Sequence, residues 1–305
     1  MGRALARASL AGHPWPGARE RPPMTRRLTH HFGMLVALLT ACAVGADQWQ
    51  AGAASADVTP DSTMLAAGDV HMGGYGLWTS RGSATGAHDP LTVQTLCLEA
   101  GDAVCIAVVD SLGLPAPVIR EIQNEVADRT GLAATQILIA ATHTHAAPDL
   151  LGLWGGAPDA YRSLLIATTA DAVTAAWQAR EQATLVHANA RAPSKNRRSW
   201  DPDDLMAVLE ARNTTGGVIA TLVNFAAHPV VTPMSNLQLS SDYVQGLRDA
   251  IHTETGAPVV FVNGALGDAS PAAPEGATRF ERAERYGHAL GSIALAALQE
   301  ATPIQ

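Results

Sequence analysis

A chain of 305 residues, with 47% hydrophobic and 16% charged residues, has enough apolar side chains for a large packed core. This composition excludes an intrinsically disordered chain, and three cysteines over this length exclude a small disulfide-stapled scaffold. The formal net charge of −8 argues against a nucleic-acid partner, because phosphate contacts need clustered Lys and Arg.

Residues 1–46 have the pattern of an upstream extension followed by an export signal. A basic segment that starts at Met24 precedes a short apolar run at 32–45. That run is too short to span about 30 Å of hydrocarbon, so it predicts a cleaved signal and no integral membrane segment in the mature chain. Two cleavage sites compete: one before Asp47, which we favour, and one that would leave an acylated Cys42 as a lipoprotein anchor. We therefore expect a secreted or periplasmic protein.

Predicted strands and helices alternate along the mature chain, residues 47–305. Runs rich in β-branched residues beside turn signals indicate strands, and the first long helix opens at Pro115 and closes at Gly131. In chain order we predict strands at 92–99 and 103–110, a helix at 115–130, a strand at 136–141, a helix at 159–180, strands at 183–190, 206–211 and 217–225, a helix at 241–255, a strand at 258–263 and a helix at 279–300. Hairpins mixed with strand–helix–strand units predict a single α/β domain, a mixed β-sheet core covered by α-helices. No repeat of about 20–50 residues is visible.

Cys97 and Cys105 lie on the two strands of the first predicted hairpin. Counting from Glu99 opposite Asp102 places Cys97 nearest Val104, one register step from Cys105. Side chains one step apart point to different faces of a sheet, so we expect two buried free cysteines and no disulfide.

Three histidines follow predicted strands, where α/β sheets usually bind ligands. His143 and His145 come directly after the strand at 136–141, and His228 follows the strand at 217–225. If the backbone stays extended, His143 and His145 point to one face, and imidazole is a good zinc ligand. The alternatives are that one histidine of the pair only makes hydrogen bonds, and that His228 merely caps its strand.

A third segment runs from the strand at 258–263 into a glycine-rich turn that carries Asp268 and Ser270. In one interpretation the two side chains bond to their own backbone in a tight loop. In the other, the turn supplies a nucleophile or binds an oxyanion.

These segments, in this order, resemble the N-terminal catalytic domain of the neutral (non-lysosomal) ceramidase family, and the resemblance covers nearly all of the mature chain. The motifs are Ala51-Gly-Ala-Ala-Ser-Ala-Asp-Val-Thr-Pro60, Gly73-Gly-Tyr-Gly76, His88-Asp-Pro-Leu91, the Thr-His-Thr-His of 142–145, Asn-Arg-Arg at 196–198, Asn-Phe-Ala-Ala-His-Pro at 224–229, Ser-Ser-Asp-Tyr at 240–243 and Asn-Gly-Ala-Leu-Gly-Asp-Ala-Ser-Pro at 263–271. The resemblance implies an exported zinc amidohydrolase that cleaves the N-acyl amide of ceramide-like lipids to a sphingoid base and a fatty acid. A lipid substrate also implies peripheral membrane contact.

The resemblance assigns a role to each matching residue. It implies that His143 and His228 bind Zn²⁺ and that His145 acts beside the metal without binding it. Arg197 matches an arginine that holds the substrate or the oxyanion, and Ser270 matches a serine proposed as a nucleophile. We favour activated water over Ser270, because zinc makes water reactive near neutral pH without a serine alkoxide.

The chain also departs from the family pattern. The family completes its zinc site with a Glu and a Tyr that lie well beyond the last motif, so we expect residues 47–305 to be a C-terminally shortened catalytic domain. Asp89, Asp110 or Asp242 could replace the missing carboxylate, but nothing in the sequence selects one. Two alternatives therefore stay open: a non-catalytic protein that binds a lipid or a partner, and a serine-type amidase that uses Ser270.

Overall fold

The structure, a computed structural model, describes residues 49–76, 80–198 and 200–304. The predicted extension and export signal at 1–46 lie outside the described residues, so cleavage near Asp47 and acylation at Cys42 stay predictions. Within the described ranges, no helix has the length and apolar character needed to cross a bilayer.

Thirteen strands and five α-helices make up the described part of the chain. The strands are β1 (Trp49–Asp57), β2 (Gly86–Ala87), β3 (Thr92–Ala100), β4 (Asp102–Val109), β5 (Ile137–Ala141), β6 (Glu181–Arg191), β7 (Ser194–Asn196), β8 (Leu205–Asn213), β9 (Val218–Phe225), β10 (Gln238–Leu239), β11 (Val259–Asn263), β12 (Ala269–Pro271) and β13 (Thr302–Pro303). The helices are α1 (Ser62–Ala67), α2 (Ala116–Thr130), α3 (Asp159–Gln178), α4 (Tyr243–Thr255) and α5 (Arg279–Leu298).

Nine of these strands form one mixed sheet in the order β11-β9-β8-β6-β1-β3-β4-β5, with β13 paired to β6. The order reveals two halves with the same topology: β1-β3-β4-α2-β5-α3 and β6-β8-β9-α4-β11-α5. In each half, three antiparallel strands precede a helix and a parallel edge strand. Even the ends match, because Thr142 donates its N–H to the Val109 carbonyl just as Gly264 donates to the Phe225 carbonyl.

The sheet doubles over, so that its two halves pack face to face. In a flat sheet β11 and β3 would lie five strand spacings, or about 24 Å, apart, yet β11 contacts β3 and β4, and β9 contacts β1. Helices α2 and α3 cover the first half, and α4 and α5 cover the second. Strand β3 is therefore buried on both faces: Val93 and Cys97 join the core under α2 and α3, while Leu96 is buried on the opposite face. The α/β class, with a mixed sheet covered by helices in one domain, is confirmed.

The β3–β4 hairpin shows that the expectation of two free cysteines is wrong. Its turn is tighter than predicted: Ala100 pairs with Asp102 around Gly101, which places Cys97 directly opposite Cys105. The two sulfur atoms form a disulfide, with the Cα atoms 4.0 Å apart. A register change of one residue brought both side chains to the same face.

Candidate active site

The three predicted histidines converge. One ring nitrogen from each of His143, His145 and His228 lies within 4.8 Å of the other two. The ring centroid of His143 is 5.1 Å from that of His145 and also 5.1 Å from that of His228. Among the described residues, this is the one group of three His, Cys, Asp or Glu side chains close enough to hold a metal ion.

The backbone brings the histidine pair together in a different way from the one predicted. His143 has a φ of 64°, in the left-handed region, so the segment after β5 is not extended. The two rings are nearly perpendicular, with an interplanar angle of 85°. Asn263, at the end of β11, donates from Nδ2 to the carbonyl of Thr142 at 2.5 Å and so anchors the residue before this turn.

Backbone carbonyls orient two of the rings. Nδ1 of His143 lies 2.7 Å from the carbonyl oxygen of Leu112, and Nδ1 of His228 lies 3.1 Å from that of Ala269. A carbonyl can only accept, so each Nδ1 carries the proton and, in the neutral ring, Nε2 keeps the lone pair for a metal. Burial also lowers the pKa of His228, which favours the neutral ring that a metal requires.

His145 differs from the other two histidines. Both of its ring nitrogens are buried without a hydrogen-bond partner in the described part of the chain. Burial, followed by the nearby His143, His228, Arg81 and Arg197, lowers its pKa to about 3, so the ring is neutral at pH 7.

Convergent imidazole nitrogens with orphaned lone pairs fit a zinc ion, which in catalytic sites commonly takes three protein ligands and keeps one position open. The distances do not separate His145 from the other two as a ligand. Its predicted role beside the metal stays a prediction.

The three carboxylates considered as replacement ligands are engaged elsewhere. Asp110 pairs with Arg248 at 2.7 Å, and both side chains are buried. Asp242 accepts N–H bonds from the loop at 231–232, and Asp89 accepts a hydroxyl and an N–H from the segment before α4. None of them joins the histidine cluster in the described part of the chain.

Arg197 and Ser270 lie next to each other beside this cluster. Strands β7 and β12 pair there, and Arg197 donates from Nε to Ser270 Oγ at 2.8 Å and from its backbone N–H to the Asp268 carbonyl at 2.7 Å. Ala269, between Asp268 and Ser270, supplies the carbonyl that orients His228. A guanidinium has no lone pair that could take a proton, so the observed partner of Ser270 is not a general base.

Two further residues shape the site, and sequence reasoning assigned them no role. The Tyr75 and His145 rings form a T-shaped contact, with centroids 4.7 Å apart, and the Tyr75 hydroxyl donates to the Thr232 carbonyl. Arg81 donates to the carbonyls of Gly73 and His145. Only the glycine-rich motif around Tyr75 signalled this segment. The sequence around Arg81 gave no signal, because three of its four partners lie 64 to 155 residues away along the chain.

An apolar cavity of about 370 Å³ opens beside His143. Apart from His143 and Asn263, its lining is aliphatic or glycine and carries no acidic or basic side chain. The larger side chains of the lining are Leu112, Leu114, Ile119, Ile139 and Leu266. The histidine cluster thus has an apolar side, at this cavity, and a polar side, at Arg197 and Ser270.

Comparison with known proteins supports the resemblance at the level of the fold. Neither a protein-family model nor a curated protein sequence matches the chain. The structure of neutral ceramidase from Pseudomonas aeruginosa is similar over 83% of this chain, with a TM-score of 0.74 and 17% identity. A ceramidase complexed with C2 gives a TM-score of 0.73 and 16% identity over the same share. This chain spans 45% and 44% of the two neighbours, less than half their length, and at this identity the likeness establishes a shared fold.

Proposed function

We propose that this chain is a zinc-dependent amidohydrolase that cleaves the N-acyl amide of ceramide-like lipids to a sphingoid base and a fatty acid. The observation that carries the proposal is the convergence of His143, His145 and His228 on a fold shared with a neutral ceramidase. Because the chain spans less than half of that neighbour, substrate and activity rest on the local chemistry.

His143 and His228 would hold the metal, because backbone carbonyls hold the protonated Nδ1 of both rings, which puts the lone pair of each neutral ring on Nε2. When bound, the ion supplies Lewis-acid chemistry: it polarises a carbonyl oxygen and lowers the pKa of water. His145 is neutral in the resting site, and its ring would take the proton of the attacking water and pass it to the leaving amine nitrogen.

Arg197 would stabilise the negative charge that develops on the carbonyl oxygen, because its guanidinium is a cationic donor whose place is fixed by Ser270 and by a backbone bond to Asp268. Its exposed position beside Ser270 leaves further N–H groups for the substrate. Ser270 acts as a partner that holds Arg197. We do not assign it the nucleophile role, because its observed partner cannot accept the hydroxyl proton.

The two sides of the histidine cluster match the two parts of a ceramide-like amide. The aliphatic lining next to His143 fits an apolar acyl chain, because removing such a chain from water is favourable. The polar corner of Arg197, Asp268 and Ser270 fits the amine part with its hydroxyl groups.

We further propose that the protein works outside the cytoplasm, secreted or periplasmic, and touches membranes only peripherally to obtain its lipid. The Cys97–Cys105 disulfide supports this location, because such bonds persist in oxidising compartments.

The test is zinc content together with hydrolysis of a fluorescent ceramide analogue by the purified chain. We expect bound zinc and release of the labelled fatty acid. A folded chain that takes up no zinc and releases no fatty acid would support the non-catalytic lipid- or partner-binding alternative instead.

A second experiment tests the assignment of the acyl chain. Ile119→Trp should fill the cavity and lower kcat/KM more for long acyl chains than for short ones. Leu138→Trp is the matched control, because Leu138 lies on β5 but is 44% exposed and does not line the cavity. Equal effects of Ile119→Trp on all chain lengths would refute this assignment.

A further inference from the structure

Arg81 makes an unusual set of contacts, because in the described part of the chain all the hydrogen bonds of its guanidinium go to backbone carbonyls. It donates to Gly73 at 2.6 Å, to Met234 at 3.0 Å, to Asn236 at 2.7 Å and also to His145. The acceptors belong to three segments: the glycine-rich motif, the loop after β5 and the loop after β9. Within the described ranges, no carboxylate lies within salt-bridge distance of this half-buried cation.

These contacts matter most for His145, whose ring makes no hydrogen bond to any described residue. Its carbonyl is held by Arg81, and its N–H donates to the Pro229 carbonyl at 3.3 Å. The Arg81 guanidinium also lies over the Tyr75 ring, 4.9 Å from the centroid, and that ring packs against His145. On the same side, Gly74 comes so close that a Cβ there would lie 2.6 Å from His145 Nδ1. The place of the His145 ring therefore depends on this segment.

We infer that Arg81 is a positioning residue: by tying the loop that carries His143 and His145 to the loop that follows His228, it sets the spacing of the two proposed metal ligands, and so sets the affinity of the cluster for a metal. Arg81 is not one of the three side chains of the histidine cluster. The inference rests on the proposed function only in that the cluster binds a metal.

The test uses Arg81→Ala in the full chain, with zinc affinity measured by calorimetry and the absorption spectrum of bound Co²⁺ as a second readout. We expect zinc affinity to fall about 10–100-fold, the usual effect of losing a group that orients a ligand. Free guanidinium at tens of millimolar should restore part of the affinity and of the Co²⁺ spectrum. Arg81→Lys should have nearly as low a zinc affinity as Arg81→Ala, because an ammonium group cannot reach carbonyls on three segments at once.

Arg129→Ala is the matched control, because Arg129 forms exposed ion pairs with Glu125 and Asp171, and none of the three lies in the histidine cluster. It should leave zinc affinity unchanged. If Arg81→Ala does not fold, Arg81→Gln takes its place. Unchanged zinc affinity in a folded Arg81 variant would overturn the inference, as would a loss that guanidinium does not reverse.

Hydrogen exchange at residues 143–147 separates this inference from the proposed function. If the parent chain binds no zinc, the proposed function fails, but the role of Arg81 can still be judged. Faster exchange of this segment in the variant, slowed again by guanidinium, supports positioning by Arg81. Exchange identical to that of the parent contradicts it.

Discussion

The two halves of the molecule share one topology but carry different chemistry. In the first half His143 stands two residues after the end of β5, and the matching residue after β11 is Ala265. In the second half His228 stands three residues after the end of β9, and the matching residue after β4 is Leu112. Leu112 contributes its carbonyl, which orients His143, and an apolar side chain that lines the cavity. The repeated fold brings the ends of β4, β5, β9 and β11 together. The residues that follow these strands differ between the halves, and this difference places the histidines of the site there.

The hairpins of the two halves differ as well. The β3–β4 hairpin is crosslinked by Cys97 and Cys105. The β8–β9 hairpin has no cysteine and instead buries Glu210, which pairs with Arg212 at 2.6 Å. The Glu210–Arg212 pair lies within strand β8, and across the hairpin Glu210 accepts a hydrogen bond from the Thr221 hydroxyl at 3.4 Å. The covalent bond of one half is thus matched by a hydrogen bond in the other.

The largest expected effect tests whether the site needs both halves. His143→Ala and His228→Ala should each remove zinc and reduce amide hydrolysis to the background rate, because each histidine supplies a ligand from a different half. Zinc content and hydrolysis of a ceramide analogue measure this. His288→Ala, at an exposed histidine on α5, should change neither. If the His228 variant keeps its zinc, the metal ligands all come from the first half.

His145→Ala should lower turnover by about 10²–10⁴-fold, the usual range for a group that handles protons, while zinc stays bound. Metal analysis and kcat on the same sample measure the two effects together. Loss of zinc along with activity would show that His145 is a third metal ligand. The first half would then supply two of the three protein ligands.

Asp89 links the halves, since it lies in the first half and accepts hydrogen bonds from the segment before α4. Burial raises its pKa to about 7, whereas in the unfolded chain it is about 3.9. Between these values the folded state holds a proton that the unfolded state releases, so the free energy of unfolding should fall as pH rises from about 4 to about 7.

Urea unfolding as a function of pH measures the Asp89 effect. The unfolding equilibrium constant should rise by up to tenfold for each pH unit in this range. Asp89→Asn should remove this slope. The remaining pH dependence of its unfolding free energy should come from other groups. The same slope in both proteins would show that Asp89 titrates alike in the folded and unfolded chains.

The disulfide should stabilise the first half. Removing a crosslink with a sequence separation of 8 should cost about 2.5 kcal/mol of unfolding free energy. Cys97→Ala/Cys105→Ala, compared with the parent by urea unfolding, measures this cost. Equal stabilities would show that the β3–β4 pairing needs the bond no more than the β8–β9 pairing does.

The smallest effect is expected for Ser270→Ala, which removes a partner of Arg197 and no proton acceptor. Turnover should change only a few-fold, and zinc should stay bound. Abolished activity in a folded, zinc-loaded variant would contradict the activated-water mechanism and establish the serine-type alternative.

Helices and strand ends could be predicted because their signals are local. The helix predicted at 115–130 is α2, since proline starts it and Gly131 ends it in the left-handed conformation. Strand β1 was missed, because its Ala-rich sequence lacks a strand pattern. Its small residues reflect a distant neighbour: a Cβ at Gly52 would lie 2.2 Å from the Ala176 carbonyl of α3.

The histidines of the site were also predictable, because each follows a recognisable strand. The contacts that orient them were not, since Arg81 and Asn263 act on segments 64 and 121 residues away. Such contacts depend on how the sheet folds over, which no local pattern encodes. The disulfide was missed for a different reason. One residue more or less in the β3–β4 turn changes the pairing register of the two strands, and with it the residue opposite Cys97.

The histidine cluster has a consequence for the molecule as a whole. His143 and His228 belong to different halves, and His145 adds a backbone bond to Pro229 across the same boundary. An ion held by both histidines would join the halves as a crosslink does, so part of its binding free energy would be free energy of docking. Metal affinity and resistance to separation of the halves would then rise and fall together. A chelator would then weaken the docking of the two halves as well as abolish activity.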